Sequence, residues 1–243
     1  MTSDAQRAAD LLGDANTRLV RTVDGLHDDD WGAPSALPGW TRAHVVSHLA
    51  LNAEGLARCL HGLVSDEEGE PGTMYDSDEQ RDSDIAELAQ AAPFEIRERL
   101  MAGITVLNDA IAAVPPEGWT GHVERTPGGR TFPTSAIPGM RLREVEIHHA
   151  DLAAGYTPAE WSPDFSELLL DAMDARAASG PAFEVKPLDS PRTWLFGDQE
   201  GDAEYPVPVV TGPASALGWW LTGRPAPESV SCSQGELPRI GGW

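Results

Sequence analysis

The sequence predicts an α+β protein, with a helical four-helix-bundle part over residues 1–157 and a smaller α+β part over 158–243. Three observations carry this expectation. Apolar residues recur at helical spacing through most of the first 154 residues. Apart from one hairpin pattern, strand-like runs of β-branched and aromatic residues appear only after residue 180. There helix and strand alternate too irregularly for a doubly wound parallel sheet.

The first helix is expected at about 4–26. Ser3 with Gln6 three residues later reads as a capping box. Leu11, Leu12, Ala15, Leu19, Val23 and Leu26 then follow on one stripe. Residues 28–40, rich in Asp, Pro and Gly, read as a loop. Thr41 is a good N-cap for a second helix to about Leu63, with Val45, Leu49, Leu56 and Leu60 on its apolar side. Residues 65–84 are acidic and patternless, which predicts a long loop and a candidate lid. Helical pattern returns over about 84–114, with Pro93 as a break or a new first-turn position. Residues 119–134 suggest a hairpin turning at Gly128–Gly129. A fourth long helix follows at about 136–154, with Gly155 as its C′ residue. Beyond 158 the sequence predicts a helix over 162–178, strands over 183–186, 193–197 and 205–212, and a helix over 213–224.

Composition narrows the function classes. A chain of 243 residues with 41% apolar content can bury a substantial core. The net charge of −22 makes nucleic acid and anionic membranes poor partners. No apolar run reaches transmembrane length. The acids near the N-terminus argue against a signal peptide. Cys59 and Cys232 are too few for a disulfide framework or a cysteine-rich metal site, so a reducing cytoplasm is the expected compartment. Thiol chemistry would need a thiol from outside. A monomer is the expected state.

The candidate chemistry lies in the histidines and arginines. His44 and His48 lie four apart on the second helix, and Glu144 and His148 lie four apart on the fourth. Such pairs share a helix face. Facing helices of a bundle are where metal sites are built. One histidine from the second helix with the Glu144–His148 pair gives a His2Glu set with an open coordination position, as in catalytic zinc sites. Each pair alone is also what a solvated face or a hydrogen-bonded core looks like. Spacing does not choose between His44 and His48, and Glu146 and His149 compete on the fourth helix. Asn52 and Asp151 are candidates to support the ligands. Arg81, in the acidic stretch, and Arg224, at the end of the last helix, could form a pair of forks for a dicarboxylate. They could equally serve only local neutralisation and the helix dipole. The chain has no G-x-S-x-G, no phosphate-binding loop and no dinucleotide-binding glycine pattern. The Trp219–Trp220 pair reads as core.

Four stretches together resemble the mycothiol-dependent maleylpyruvate isomerases of actinobacteria. They are GWTRAHVVSHLALNA (39–53), the GTMY segment leading to Arg81, GRTFP with MRLREVEIHHADL (129–152), and GPASALGWWLTGR (212–224). The resemblance runs over most of the chain. It implies a DinB-like four-helix bundle followed by a sterol-carrier-like α+β domain. It implies zinc on His48, Glu144 and His148, and roles in activity for Arg81 and Arg224. The chain departs from the family pattern at Glu146 and His149.

The implied reaction is the cis–trans isomerisation of maleylpyruvate to fumarylpyruvate in gentisate-type aromatic catabolism. Mycothiol would supply the nucleophile and a small dicarboxylate would be the substrate. On this resemblance zinc would keep the thiol deprotonated, and the thiolate would add reversibly to the alkene. Two rival readings follow from the same residues. One is a mycothiol S-transferase that conjugates another electrophile, and the other is a non-catalytic metal-binding bundle.

Overall fold

A computed structural model of the protein describes residues 3–64, 72–174, 182–197 and 206–240. It has the α+β architecture expected, a helical unit followed by a small sheet unit. The chain divides into compact units after Tyr156.

In the first unit, helix α1 (Ser3–Asp24) packs on α5 (Ile137–Asp151), and α2 (Arg42–Val64) packs on α4 (Pro93–Ala113). Contacts between α2 and α5 close the four-helix bundle. Leu19, Leu49, Leu56, Leu60 and Leu100 are fully buried in it. Burial of each such side chain contributes about 1.5–3 kcal/mol. The Ser3 side chain lies outside the described residues, and Gln6 bonds Asp10 at 2.9 Å.

The expected loop over 65–84 is corrected in part. Residues 65–71 lie outside the described residues, but α3 (Asp78–Leu88) is helical. Ser77 caps it, its hydroxyl accepting the Gln80 N–H at 3.0 Å, and Asp78 and Glu79 complement the dipole. Arg81 therefore sits on a helix. The helical stretch expected over 84–114 is broken at residues 89–92. Pro93 then opens α4, and Glu95 reaches back to the Ala92 N–H at 3.1 Å.

Strands β1 (His122–Glu124) and β2 (Thr131–Pro133) pair antiparallel as the expected hairpin. Thr73 bridges to Glu124, so residues 73–75 run beside β1. Two glycines let this segment lie close to α2. A Cβ on Gly55 would sit 2.8 Å from the Met74 carbonyl oxygen, and one on Gly72 would sit 2.6 Å from that of Arg58.

Helix α5 ends through Ala153, whose φ is 51°, rather than at Gly155 as expected. A cation from α2 holds the turn just beyond it. Arg42 donates to the Leu152 oxygen at 3.0 Å and to the Ala153 oxygen at 2.8 Å.

The second unit holds α6 (Pro163–Asp174), β3 (Phe183–Pro187), β4 (Trp194–Phe196), β5 (Val209–Gly212), α7 (Ala214–Leu221) and β6 (Ser231–Cys232). The strand order is β4-β3-β5-β6, with β3 and β5 parallel and the outer pairs antiparallel. Phe183, Val185, Trp194, Phe196 and Val210 alternate inward. Trp220 is buried and meets Phe183 edge-on, while Trp219 is only half-buried. The ends expected for α6 and β5, residues 175–178 and 205, lie outside the described residues.

Candidate metal centre

Helical periodicity delivers the polar side chains to one place. His48 and Asn52 are four apart on α2 and share a face. Arg141, Glu144 and His148 share a face of α5 by their spacings of three and four. Packing of α2 on α5 turns those faces toward one another, and residues almost a hundred positions apart meet.

His48 Nε2 lies 2.8 Å from Glu144 Oε2, and His148 Nε2 lies 3.3 Å from the same oxygen. The two imidazole rings meet edge-to-face with centroids 4.7 Å apart. One ligand atom from each of the three residues lies within 4.8 Å of the others. Among the described residues no other group of His, Cys, Asp or Glu side chains is so arranged. Ligand bonds of about 2.0–2.2 Å place neighbouring donors of a tetrahedral site roughly 3.3 Å apart. The three side chains fit a divalent metal of the kind bound by nitrogen and oxygen.

The supporting contacts fit as well. Asp151, fully buried, accepts from His148 Nδ1 at 2.8 Å. That bond fixes the ring and turns Nε2, not Nδ1, toward Glu144 and the candidate metal position. Asn52, the other candidate support, instead accepts from Arg141 Nη1 at 2.9 Å. Trp40 packs its ring against His48 at 5.7 Å. Arg81 brings Nη2 to 3.2 Å from His48 Nδ1 and also holds Asp82 at 2.6 Å.

The electrostatics hold two of the three side chains, His48 and Glu144, in the form that a cation needs. Burial pushes His48 down to about 4 despite its bond to Glu144, so it is neutral at pH 7. Burial acts to raise Glu144, but hydrogen bonds from His148 and His48 hold it well below the usual carboxylate range. Burial would lower His148, yet its bonds to Asp151 and Glu144 carry it above its ordinary value.

The remaining candidates separate. His44 turns back to Thr41, its Nδ1 lying 2.8 Å from the hydroxyl, and lies outside the triad. Glu146 and His149 point toward α1. Glu146 is held by Arg18 at 2.6 Å and by the Tyr156 hydroxyl, and His149 stacks on Tyr156 and meets the Thr22 hydroxyl at 2.7 Å. Arg224 belongs to the second unit, where its guanidinium lies 5.4 Å over the Trp219 ring and donates to the Thr222 oxygen at 3.1 Å. Sequence reasoning missed Arg141 and Tyr75. Arg141 carried a legible signal, since it sits one turn before Glu144 on the same face. Tyr75 carried none beyond its place in the GTMY segment.

Comparison with known proteins covers both units. The family model described as the mycothiol maleylpyruvate isomerase N-terminal domain matches residues 12–153, and that of the corresponding C-terminal domain matches residues 160–240. The crystal structure of a mycothiol-dependent maleylpyruvate isomerase matches at 27% identity and a TM-score of 0.85, with all of both chains covered. A histidine-to-alanine mutant of a mycothiol-dependent maleylpyruvate isomerase matches at 26% identity and a TM-score of 0.84, again with all of both chains covered. No curated protein sequence matches.

Proposed function

Because the chain belongs to the mycothiol maleylpyruvate isomerase family, we propose that it is itself a mycothiol-dependent cis–trans isomerase converting maleylpyruvate to fumarylpyruvate. The observation that carries this reading is the convergence of His48, Glu144 and His148 within 4.8 Å, with Arg81 beside them. The reading includes zinc as the metal, the reducing cytoplasm as the compartment, a gentisate-type pathway as the context and a monomer as the working state.

The chemistry that must be catalysed is rotation about a conjugated cis double bond. A thiolate that adds to the alkene carbon turns that bond into a single bond. Rotation and expulsion of the thiolate give the trans isomer. A free thiol of pKa about 8.5 is only a few per cent ionised at pH 7. Zinc held by His48, Glu144 and His148 would supply a Lewis acid that keeps a coordinated thiol deprotonated.

The chain's own residues do the rest. Asp151 holds the His148 ring by its Nδ1–H. Trp40, beside His48, helps exclude water from that side. Arg81 offers a guanidinium to a substrate carboxylate. A neutral imidazole cannot both ligate through Nε2 and accept from Arg81 at Nδ1, so with His48 as a ligand Arg81 Nη2 would turn from that ring toward the substrate while Nη1 stays on Asp82. Arg224, in the second unit, is a further residue that this reading expects activity to need.

A spectrophotometric assay on maleylpyruvate, with and without a catalytic amount of mycothiol, tests the reading. Isomerisation that needs mycothiol but does not consume it is the expected result, and glutathione should replace it poorly. Consumption of mycothiol one for one would establish an S-transferase instead. Bound metal without any thiol-dependent reaction would point to a non-catalytic bundle.

A further inference from the structure

Beside the triad, one turn along both helices, lies a second polar layer. Arg141, on α5, is wholly buried, and its Nη1 donates to the Leu49 oxygen at 2.8 Å and to Asn52 Oδ1 at 2.9 Å. Burial pushes this guanidinium down to about 10, so it remains a cation at neutral pH. Its bond fixes the Asn52 amide. The Asn52 oxygen is turned to Arg141, which leaves the Asn52 amide N–H groups to face elsewhere as donors.

Tyr75 completes the layer. The residue is 7% exposed, and its hydroxyl faces Asn52 and Arg81 within the field of Glu144. The guanidiniums of Arg81 and Arg125 lie over its ring, 5.7 and 5.3 Å from the centroid. Its backbone is pinned as well, with the Tyr75 N–H on the Arg125 oxygen at 3.0 Å and the Met74 N–H on the Glu124 oxygen at 3.1 Å. The phenol is thus held in place from ring and backbone alike.

Arg81 and the turned Asn52 amide present only N–H donors to the Tyr75 oxygen. A hydroxyl beside donors alone finds no acceptor there for its own O–H, which is left to donate elsewhere. A phenol, with an ordinary pKa of about 10, is protonated at neutral pH, and burial pushes it further up.

We propose that Tyr75 is a further catalytic residue, its O–H donating to the enolate oxygen formed during isomerisation, and that Arg141 positions it through Asn52. This rests on the isomerase reading. The carbon–sulfur bond forms at the alkene carbon beta to the ketone, and the π pair moves onto the ketone oxygen. Tyr75 donates a hydrogen bond to that oxygen and keeps its proton. Return of the pair rebuilds the double bond and expels the thiolate, so no proton, oxidant or reductant is consumed.

The test is Tyr75→Phe in the full, metal-loaded protein, with metal content, circular dichroism and steady-state kinetics on maleylpyruvate and mycothiol. Removing one oxyanion donor of this kind costs about 10²–10³-fold in kcat. That loss is expected with full metal content and with KM changed much less than kcat. Asn52→Ala, which leaves the phenol but frees it, should lose roughly tenfold in kcat with its metal retained. A Tyr75→Phe protein that keeps its metal and its kcat overturns the proposal. One that sheds its metal overturns it too, since Tyr75 would then merely support the triad. Unchanged kcat in Asn52→Ala removes Asn52 and Arg141 from the account. If the parent protein fails to isomerise maleylpyruvate, the isomerase reading falls and this proposal with it. A competent parent beside an unimpaired Tyr75→Phe overturns the role of Tyr75 alone.

Discussion

Asp151 decides which nitrogen of His148 can meet a metal. Its carboxylate accepts the Nδ1 proton at 2.8 Å from a fully buried position. Asp151→Asn keeps the shape but weakens that acceptor, and metal affinity should fall about 10–100-fold in a chelator competition. Unchanged affinity would show that the ring is held by packing. The same contacts set a pH dependence. His148 must be neutral to ligate, and its bonds to Asp151 and Glu144 raise it above the ordinary 6.5 although burial acts to lower it. Metal affinity should therefore weaken as pH falls through a window that begins above 6.5, with about one proton released per metal bound there. His48, near 4, and Glu144, held low, are already in their ligating forms across that window. Calorimetry in two buffers of different ionisation enthalpy counts the proton, and a count of zero would contradict the assignment. The sequence alone leaves Glu146 and His149 as rivals to the ligands, because helical spacing gives angles but not neighbours. The structure separates them through Arg18, Thr22 and Tyr156, which no local pattern could have named.

The elements around the site differ in how well sequence reveals them. The four bundle helices carry long apolar stripes and strong stop signals, so their presence is plain. Helix α3 hides, because only Ile85 and Leu88 of its eleven residues are buried and the rest read as solvated loop. Strand β6 has two residues, too few to show an alternation. The end of α5 misleads because Arg42, far away in sequence, holds the segment just beyond it and lets Ala153 take the left-handed turn. Close approach of backbone to backbone is the element-scale constraint with a direct test. A methyl on Gly55 would meet the Met74 carbonyl at 2.8 Å, next to Tyr75. Gly55→Ala should therefore destabilise the fold by about 1–3 kcal/mol in denaturant titration. Neutral or increased stability would show that residues 73–75 can shift at little cost.

At the scale of the whole molecule, an acidic chain of net charge −22 must gather its cations wherever it binds an anion. In the first unit Arg81, Arg125 and Arg141 gather around Tyr75 and the triad. In the second, Arg224 is steadied over Trp219. If both units serve one reaction, Arg224→Ala should keep its metal and lose about 100-fold in kcat/KM for maleylpyruvate. Unchanged kinetics would confine the chemistry to the first unit. The order of a helical part before a sheet part, and the shared faces within α2 and within α5, were legible in the sequence, since each follows from local periodicity. The meeting of Asn52, Tyr75 and Arg141 was not, because it depends on how α2, α5 and residues 73–75 pack. The central claim is that His48, Glu144 and His148 hold a metal with room for a thiol. Zinc-edge X-ray absorption on the purified protein, before and after addition of mycothiol, measures this directly. Two imidazole nitrogens and a carboxylate oxygen should be seen first, with a sulfur appearing at about 2.3 Å once the thiol is added. A nitrogen and oxygen shell that mycothiol leaves unchanged, or a spectrum that His48→Ala does not alter, would contradict the account.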